Sequence, residues 1–305
     1  MNIHNHEPEE VEAFVRSQRY FLDDRVKSSL NPDLCIEDIS INPNQGGRKT
    51  IYNLGLSDGS TVVLKICHNL SIRREIEGLR YASTQDILAP KIHGYEINED
   101  NPLKKPFILM EHVPQQFKDA WRGDYEVNIW GGDKVLSVDY EFVRDRLDNL
   151  LEVIPRLNKK CERQSPIDIF KEYTVYLESN NDFYLKFQEL QRFYEKNCQL
   201  FQGGLEYHLH GDLDFSNMIS TQNGIVFIDW GNYSKGDIAE DLAYFAIRNI
   251  WFDYDEYAGK LVELISKKDK NFAKRFGFHV SMSKLWHVIY HSFPKEYFLE
   301  SPLFC

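Results

Sequence analysis

The chain has 305 residues, enough for two domains or for one domain of two lobes around a sizeable core. Its 36 basic and 47 acidic residues leave a formal charge of −11, which repels phosphate backbones and argues against a nucleic-acid partner. Five widely spaced cysteines with no CxxC pair indicate neither a disulfide framework nor a zinc site, and no run of about 18 apolar residues suits a membrane span.

The polar, acidic start MNIHNHEPEEVEAF is unlike a signal peptide, so a cytoplasmic protein with no membrane partner is expected. Val11, Phe14, Val15, Tyr20, Phe21 and Val26 recur at helical spacing and predict one or two short helices over residues 9–30. Ile36–Ile41, Thr50–Leu54 and Thr61–Cys67 alternate and are separated by the turn-formers NPNQGG and SDGS, which predicts three antiparallel strands. A helix follows over Ser71–Ala82 with Ser71 as its N-cap, then two more strands in ILAPKIHGYEI and FILMEHV. After Pro114 the segments 140–160, 167–201, 236–265 and 270–298 read mainly as helices, broken near 205–230 by the short strands YHLHG and GIVFID. The expected fold class is α+β: an antiparallel-sheet N-terminal lobe over residues 1–113 and a mainly helical C-terminal lobe over 114–305.

The strongest chemical signal is HLHGDLDFSNMISTQNGIVFIDW, residues 208–230. Asp212 is followed five residues later by Asn217, and Asp229 ends the apolar run IVFI. Phosphoryl transfer needs a carboxylate to accept the hydroxyl proton and hard oxygen ligands for Mg²⁺. Asp212 suits the first role; Asn217 and Asp229 suit the second. Any one of the three alone reads as a turn residue, but the spacing of all three points to a kinase.

The N-terminal half supplies matching partners. VVLKI places Lys65 inside an apolar strand, where a lysine is costly unless it meets an anion or snorkels to the edge. Glu75, ten residues on in RREIEGLRYA, suits that anion, with Glu77 as a rival; together lysine and glutamate would hold the phosphates of ATP. Gly46 and Gly47 in NQGGRKTIYN would let backbone approach phosphate, although an ordinary hairpin turn accounts for them nearly as well.

HGDLDFSN, VFIDWGNYSKGDIAEDLAYF, VVLKI with RREIEGLRYA, and APKIHGYE leading to ILMEHV resemble the aminoglycoside phosphotransferase and choline kinase superfamily, over residues from about 36 to about 250. The resemblance implies a protein-kinase-like two-lobed fold. It implies Asp212 as catalytic base, Asn217 and Asp229 as metal ligands, and Lys65 with Glu75 on the nucleotide phosphates. It further implies Met110 as gatekeeper, adenine bonding to the backbone of Glu111 and Val113, His210 as a structural residue of the catalytic loop, and Asp241 bracing that loop. LDFS departs from the usual stretch between the catalytic Asp and Asn, adding Asp214 near the site as a substrate contact or a turn cap. Pro114 departs from the usual linker.

Asp229 precedes Asp241 by only twelve residues, no A-P-E follows, and Gly211 stands where H-R-D has arginine. A peptide platform is therefore not expected, and the acceptor should be a small molecule. IWFDYDEY, residues 250–257, sets Trp251 among Asp253, Asp255 and Glu256, which suits a cationic acceptor such as an aminoglycoside or amino sugar; core packing with solvated acids explains it as well. A choline, ethanolamine or homoserine-type kinase and a non-catalytic binding module are the alternatives. Either a monomer or a homodimer is compatible with the sequence.

Overall fold

The computed structural model describes residues 8–41, 50–67, 69–114, 181–202, 207–214, 217–249, 263, 266 and 270–291. The chain divides into two compact units: Met1–Gly123 with Met218–Tyr233, and Asp124–Asn217 with Ser234–Cys305.

The first unit begins with two short helices, α1 (Pro8–Ser17) and α2 (Arg19–Ser29), as the spacing of Phe14, Val15 and Val26 predicts. Strands β1 (Ile36–Ile41), β2 (Thr50–Leu56), β3 (Thr61–Ile66), β4 (Ile92–Glu96) and β5 (Phe107–Glu111) form one antiparallel sheet in the order β1-β2-β3-β5-β4. Helix α3 spans Asn69–Thr84, so Ser71 is not its N-cap. The helix begins two residues earlier than expected, which puts Ser71 inside its first turn. The hairpin β7 (Met218–Thr221) and β8 (Gly224–Phe227), with the 3₁₀ turn Trp230–Asn232, completes this unit.

Strand alternation places the key lysine. Val62, Leu64 and Ile66 of β3 join Tyr52, Leu54 and Leu56 of β2 and Phe107 and Leu109 of β5 in one buried cluster with Val15, Leu22 and Val26 of the first two helices. Side chains on a strand alternate between faces, so Val63 and Lys65 occupy the opposite face, beside their register partners Met110 and Ile108. Four successive buried residues on β5, Phe107 to Met110, show that both faces of the sheet are covered there. Helix α2 is tied to β1 from both ends of one peptide: Ile36 N–H donates to Asp23 Oδ1 at 2.6 Å and Arg19 donates to the Ile36 carbonyl.

The second unit holds α4 (Asn181–Lys196), α5 (Cys198–Gln202), α6 (Ile238–Asn249) and α7 (Phe272–His291), with β6 (Tyr207–Leu209) paired antiparallel to β9 (Ser234–Gly236). Aromatic rings knit its helices. Phe278 of α7 packs on Phe201 at 5.0 Å between centroids and on Phe193 at 6.1 Å. The antiparallel sheet and the mainly helical second unit bear out the expected α+β class; helices expected over 140–160 lie outside the described residues.

Phe107 is buried at the centre of the first core and meets Phe21 edge-on at 5.9 Å. Phe107→Ala should destabilise the protein by about 3–5 kcal/mol. Urea unfolding of the variant beside wild type checks this.

Candidate active site

Lys65, Glu75 and Asp229 form a buried ionic cluster within the first unit. Lys65 Nζ donates to Glu75 Oε2 and, at 2.9 Å, to Asp229 Oδ1. Its side chain is 3% exposed and that of Glu75 1%, so neither charge has bulk water as an alternative partner. Burial alone would lower the lysine's pKa, but the two carboxylates outweigh it and hold the pKa above its ordinary value. Glu77 is exposed, which settles the pairing on Glu75.

Glu75 uses both of its oxygens. Oε2 takes the lysine, while Oε1 accepts the backbone N–H of Trp230 at 3.2 Å. One carboxylate thus fixes the lysine and the residue that follows Asp229. Asp229 itself stands in the left-handed region at φ 61° and ψ 59°, a conformation Asp tolerates better than most residues. Trp230 anchors the turn: fully buried, it donates Nε1–H to the Phe227 carbonyl at 2.9 Å.

On the next sheet strand Met110 is buried, opposite Val63 and Ile92. The Glu111 N–H donates to the Lys91 carbonyl at 2.8 Å, and Glu111 Oε2 accepts the Lys91 N–H at 3.1 Å. The Glu111 amide is thereby spent on Lys91. Val113 is half-buried just beyond it.

In the second unit, the loop after β6 carries His210, Asp212, Asp214 and Asn217. Asp241, in the first turn of α6, accepts the backbone N–H of His210 at 2.7 Å and of Gly211 at 2.8 Å. Gly211 has φ 79°, which favours glycine over the arginine of H-R-D. Asn217 Nδ2 donates to the Asp212 carbonyl at 2.8 Å, and its own N–H donates to the Asp214 carbonyl at 3.0 Å. The amide nitrogen is therefore committed within the loop, leaving Oδ1 as the oxygen to meet a cation. Carboxylate and carboxamide oxygens are the donors Mg²⁺ prefers, so Asn217 and Asp229 fit that ion by type. Asp214 is buried and its carbonyl closes the turn onto Asn217.

Burial raises the Asp241 pKa to about 6, against the lowering effects of His210 and the two backbone donors. A second carboxylate, Asp237, holds the start of α6: its Oδ1 accepts the Ala239 N–H at 3.0 Å. Its Oδ2 accepts Arg275 Nε at 2.5 Å, tying α6 to α7. Despite burial, His279 and Arg275 pull the Asp237 pKa down to about 2. Sequence reading missed Asp237, Arg275 and Trp230; the first lies in the quoted GDIAEDLAYF, but its partner is 38 residues away. Gly46, Gly47, Trp251, Asp253, Asp255 and Glu256 lie outside the described residues.

A family model described as the phosphotransferase enzyme family matches residues 176–264. Altered inheritance of mitochondria protein 9, mitochondrial, of Debaryomyces hansenii is 30% identical over 128 residues, a match covering 38% of this chain and 18% of that relative. A Ralstonia eutropha JMP134 protein assigned as an aminoglycoside phosphotransferase has a similar structure (TM-score 0.58, 14% identity, 87% of this chain and 84% of that one). So does a Thermobifida fusca protein assigned as a fructosamine-3-kinase (0.57, 14%, 91% and 95%). Aminoglycoside phosphotransferase APH(4)-Ia, solved with AMP-PNP and hygromycin B, is also similar (0.56, 11%, 89% and 92%).

Lys65→Met should leave Glu75 and Asp229 without their counter-charge and destabilise the protein by about 3–5 kcal/mol in urea unfolding. Asp241→Ala strands one buried and one half-buried N–H donor and should cost about 2–4 kcal/mol. With its folded pKa raised from 3.8 to about 6, Asp241 contributes stability below about pH 4 that is lost as pH rises through 6. The two donors nevertheless need the carboxylate, so turnover should fall on the acid side of about pH 6, and that limb should disappear from the pH profile of Asp241→Asn.

The resemblance read from the sequence to the aminoglycoside phosphotransferase and choline kinase superfamily is thus borne out: the chain has the protein-kinase-like fold of these enzymes and matches their family model over residues 176–264.

Proposed function

We propose that the chain transfers the γ-phosphate of ATP, with Mg²⁺, to a hydroxyl of a small cationic acceptor of aminoglycoside or amino-sugar type. The observation that carries this reading is the lysine charge locked between Glu75 and Asp229. A fully buried lysine held by a helix glutamate and by a carboxylate of metal-ligand type is a phosphate-orienting device, and it costs too much to persist as mere packing.

In this reading Lys65 orients the nucleotide phosphates, with Glu75 keeping its ammonium in place. The adenine edge donates to the Glu111 carbonyl and accepts the Val113 N–H beyond the Met110 gatekeeper, and Gly46 and Gly47 cover the phosphates. Residues 1–113, with the hairpin and turn that carry Asp229, serve as the nucleotide lobe; the rest of residues 114–305 supplies the catalytic loop and the acceptor site. Asp212 accepts the acceptor's hydroxyl proton as its oxygen attacks the γ-phosphorus and ADP leaves. Asn217 Oδ1 and the Asp229 carboxylate would hold Mg²⁺, which neutralises charge on the phosphates when bound. Asp241 and His210 keep the Asp212 loop in shape.

Solved proteins of similar fold bind AMP-PNP, ADP or GDP and include hygromycin B and kanamycin complexes, which supports a nucleotide and a small acceptor. Asp214, Trp251, Asp253, Asp255 and Glu256 are the proposed acceptor contacts. Presence of Lys65, Asp212 and Asp229 together weighs against a non-catalytic binding module. No helix among the described residues is long and apolar enough to cross a membrane, in keeping with the proposed cytoplasmic location.

A coupled ADP-release assay across aminoglycosides, amino sugars, choline, ethanolamine and homoserine should find one class turned over. Asp212→Ala should abolish that turnover while binding ATP as wild type does. Retained turnover in the variant would sink the assignment.

A further inference from the structure

Helix α3 and the 230–232 turn touch through two glycines. A methyl group at Gly78 would lie 2.8 Å from Trp230 Cβ, 2.9 Å from Trp230 Cε3 and 2.9 Å from Tyr233 Cβ. Two of these three atoms are Cβ positions, fixed to the backbone, so no rotamer change relieves the clash. At Gly231 a methyl would meet Ser71 Oγ at 2.7 Å, Glu75 Oε2 at 3.2 Å and Asp229 Oδ1 at 3.5 Å. Ordinary contact begins at 3.4 Å, so a methyl at Gly78 forces a separation of about half an ångström, while one at Gly231 displaces the Ser71 hydroxyl and presses the Glu75 carboxylate by a few tenths of an ångström.

Between the two glycines lies Glu75, whose carboxylate bonds both Lys65 and the Trp230 N–H. Distance between helix and turn is therefore the distance across which Glu75 must reach. We propose that Gly78 and Gly231 are positioning residues for the phosphoryl transfer. By omitting two methyl groups they let α3 close on the turn, and that closure sets the Asp229 carboxylate against Lys65. Neither glycine touches substrate; both act through Glu75 and Trp230. The proposal rests on the kinase reading above and adds to it the residues that set the metal aspartate's position.

Gly78 lies inside a helix, where alanine is normally the more stable residue. Gly78→Ala should nevertheless lower the melting temperature, a reversal of sign that helix propensity cannot produce. Misplacement of about 1 Å costs on the order of 100-fold in rate, so both Gly78→Ala and Gly231→Ala should lose about tenfold or more in kcat, corrected for folded fraction, and need more Mg²⁺ for half-maximal rate. Ser71→Ala removes the atom that Gly231→Ala strikes first, and the double variant should regain much of the lost rate and melting temperature. Gly55→Ala, whose methyl would find only ordinary contacts of 3.6 Å or more, is the control.

Folded Gly78→Ala and Gly231→Ala proteins with wild-type kcat and Mg²⁺ dependence would overturn the proposal, as would a double variant whose melting temperature shows no coupling between positions 71 and 231. Absence of turnover in wild type itself would instead overturn the kinase reading. The melting-temperature coupling needs no substrate and keeps these two failures apart.

Discussion

A single carboxylate organises the first unit. Glu75 is almost wholly removed from water and binds a buried ammonium with one oxygen and a backbone N–H with the other. An unpaired charge in such a place costs several kcal/mol, so sheet, helix and turn must come together for the buried charges to be satisfied. Strand alternation puts Lys65 on the helix side of the sheet, helix α3 brings Glu75 across, and the turn after β8 returns Asp229. Each element is held by what the other two supply.

The second unit solves a similar problem with the opposite sign. The loop before Asp212 turns its N–H groups of His210 and Gly211 inward, where they need an acceptor, and Asp241 at the start of α6 provides both oxygens. Helix α6 is in turn fixed at its start by Asp237 and tied to α7 through Arg275, which is fully buried. Asn217 adds its Nδ2 to that support by donating to the Asp212 carbonyl, and its Oδ1 is left out of that bond. In both units the groups proposed to carry the chemistry are kept in place by buried partners.

Legibility in the sequence followed the range of the interactions. Periodicity exposed β1 to β5 and the helices because side-chain spacing repeats locally, and the lysine in VVLKI was conspicuous because its charge broke an apolar pattern. Glu75 over Glu77 was a matter of helix face, which burial decided. Ser71 failed as a cap because the helix already begins two residues before it. Trp230, Arg275 and Gly78 went unread for a different reason: each depends on a partner far along the chain. A tryptophan after an aspartate looks like core, an arginine in FAKRFGF looks like solvent, and a glycine in REIEGLRY looks like a weak helix residue until the turn it admits is placed beside it.

Four of the five proposed acceptor contacts, Trp251, Asp253, Asp255 and Glu256, lie outside the described residues, whereas Lys65, Glu75 and Asp229 of the proposed nucleotide half sit on or beside regular elements. The account is therefore tested most directly at the nucleotide. Calorimetric titration of the full chain with AMP-PNP, with and without Mg²⁺, reads binding without any acceptor. A single site that binds clearly more tightly when Mg²⁺ is present is the predicted result. No binding, or binding indifferent to Mg²⁺, would contradict the claim that the Lys65, Glu75 and Asp229 cluster is built to receive a metal-bound nucleotide.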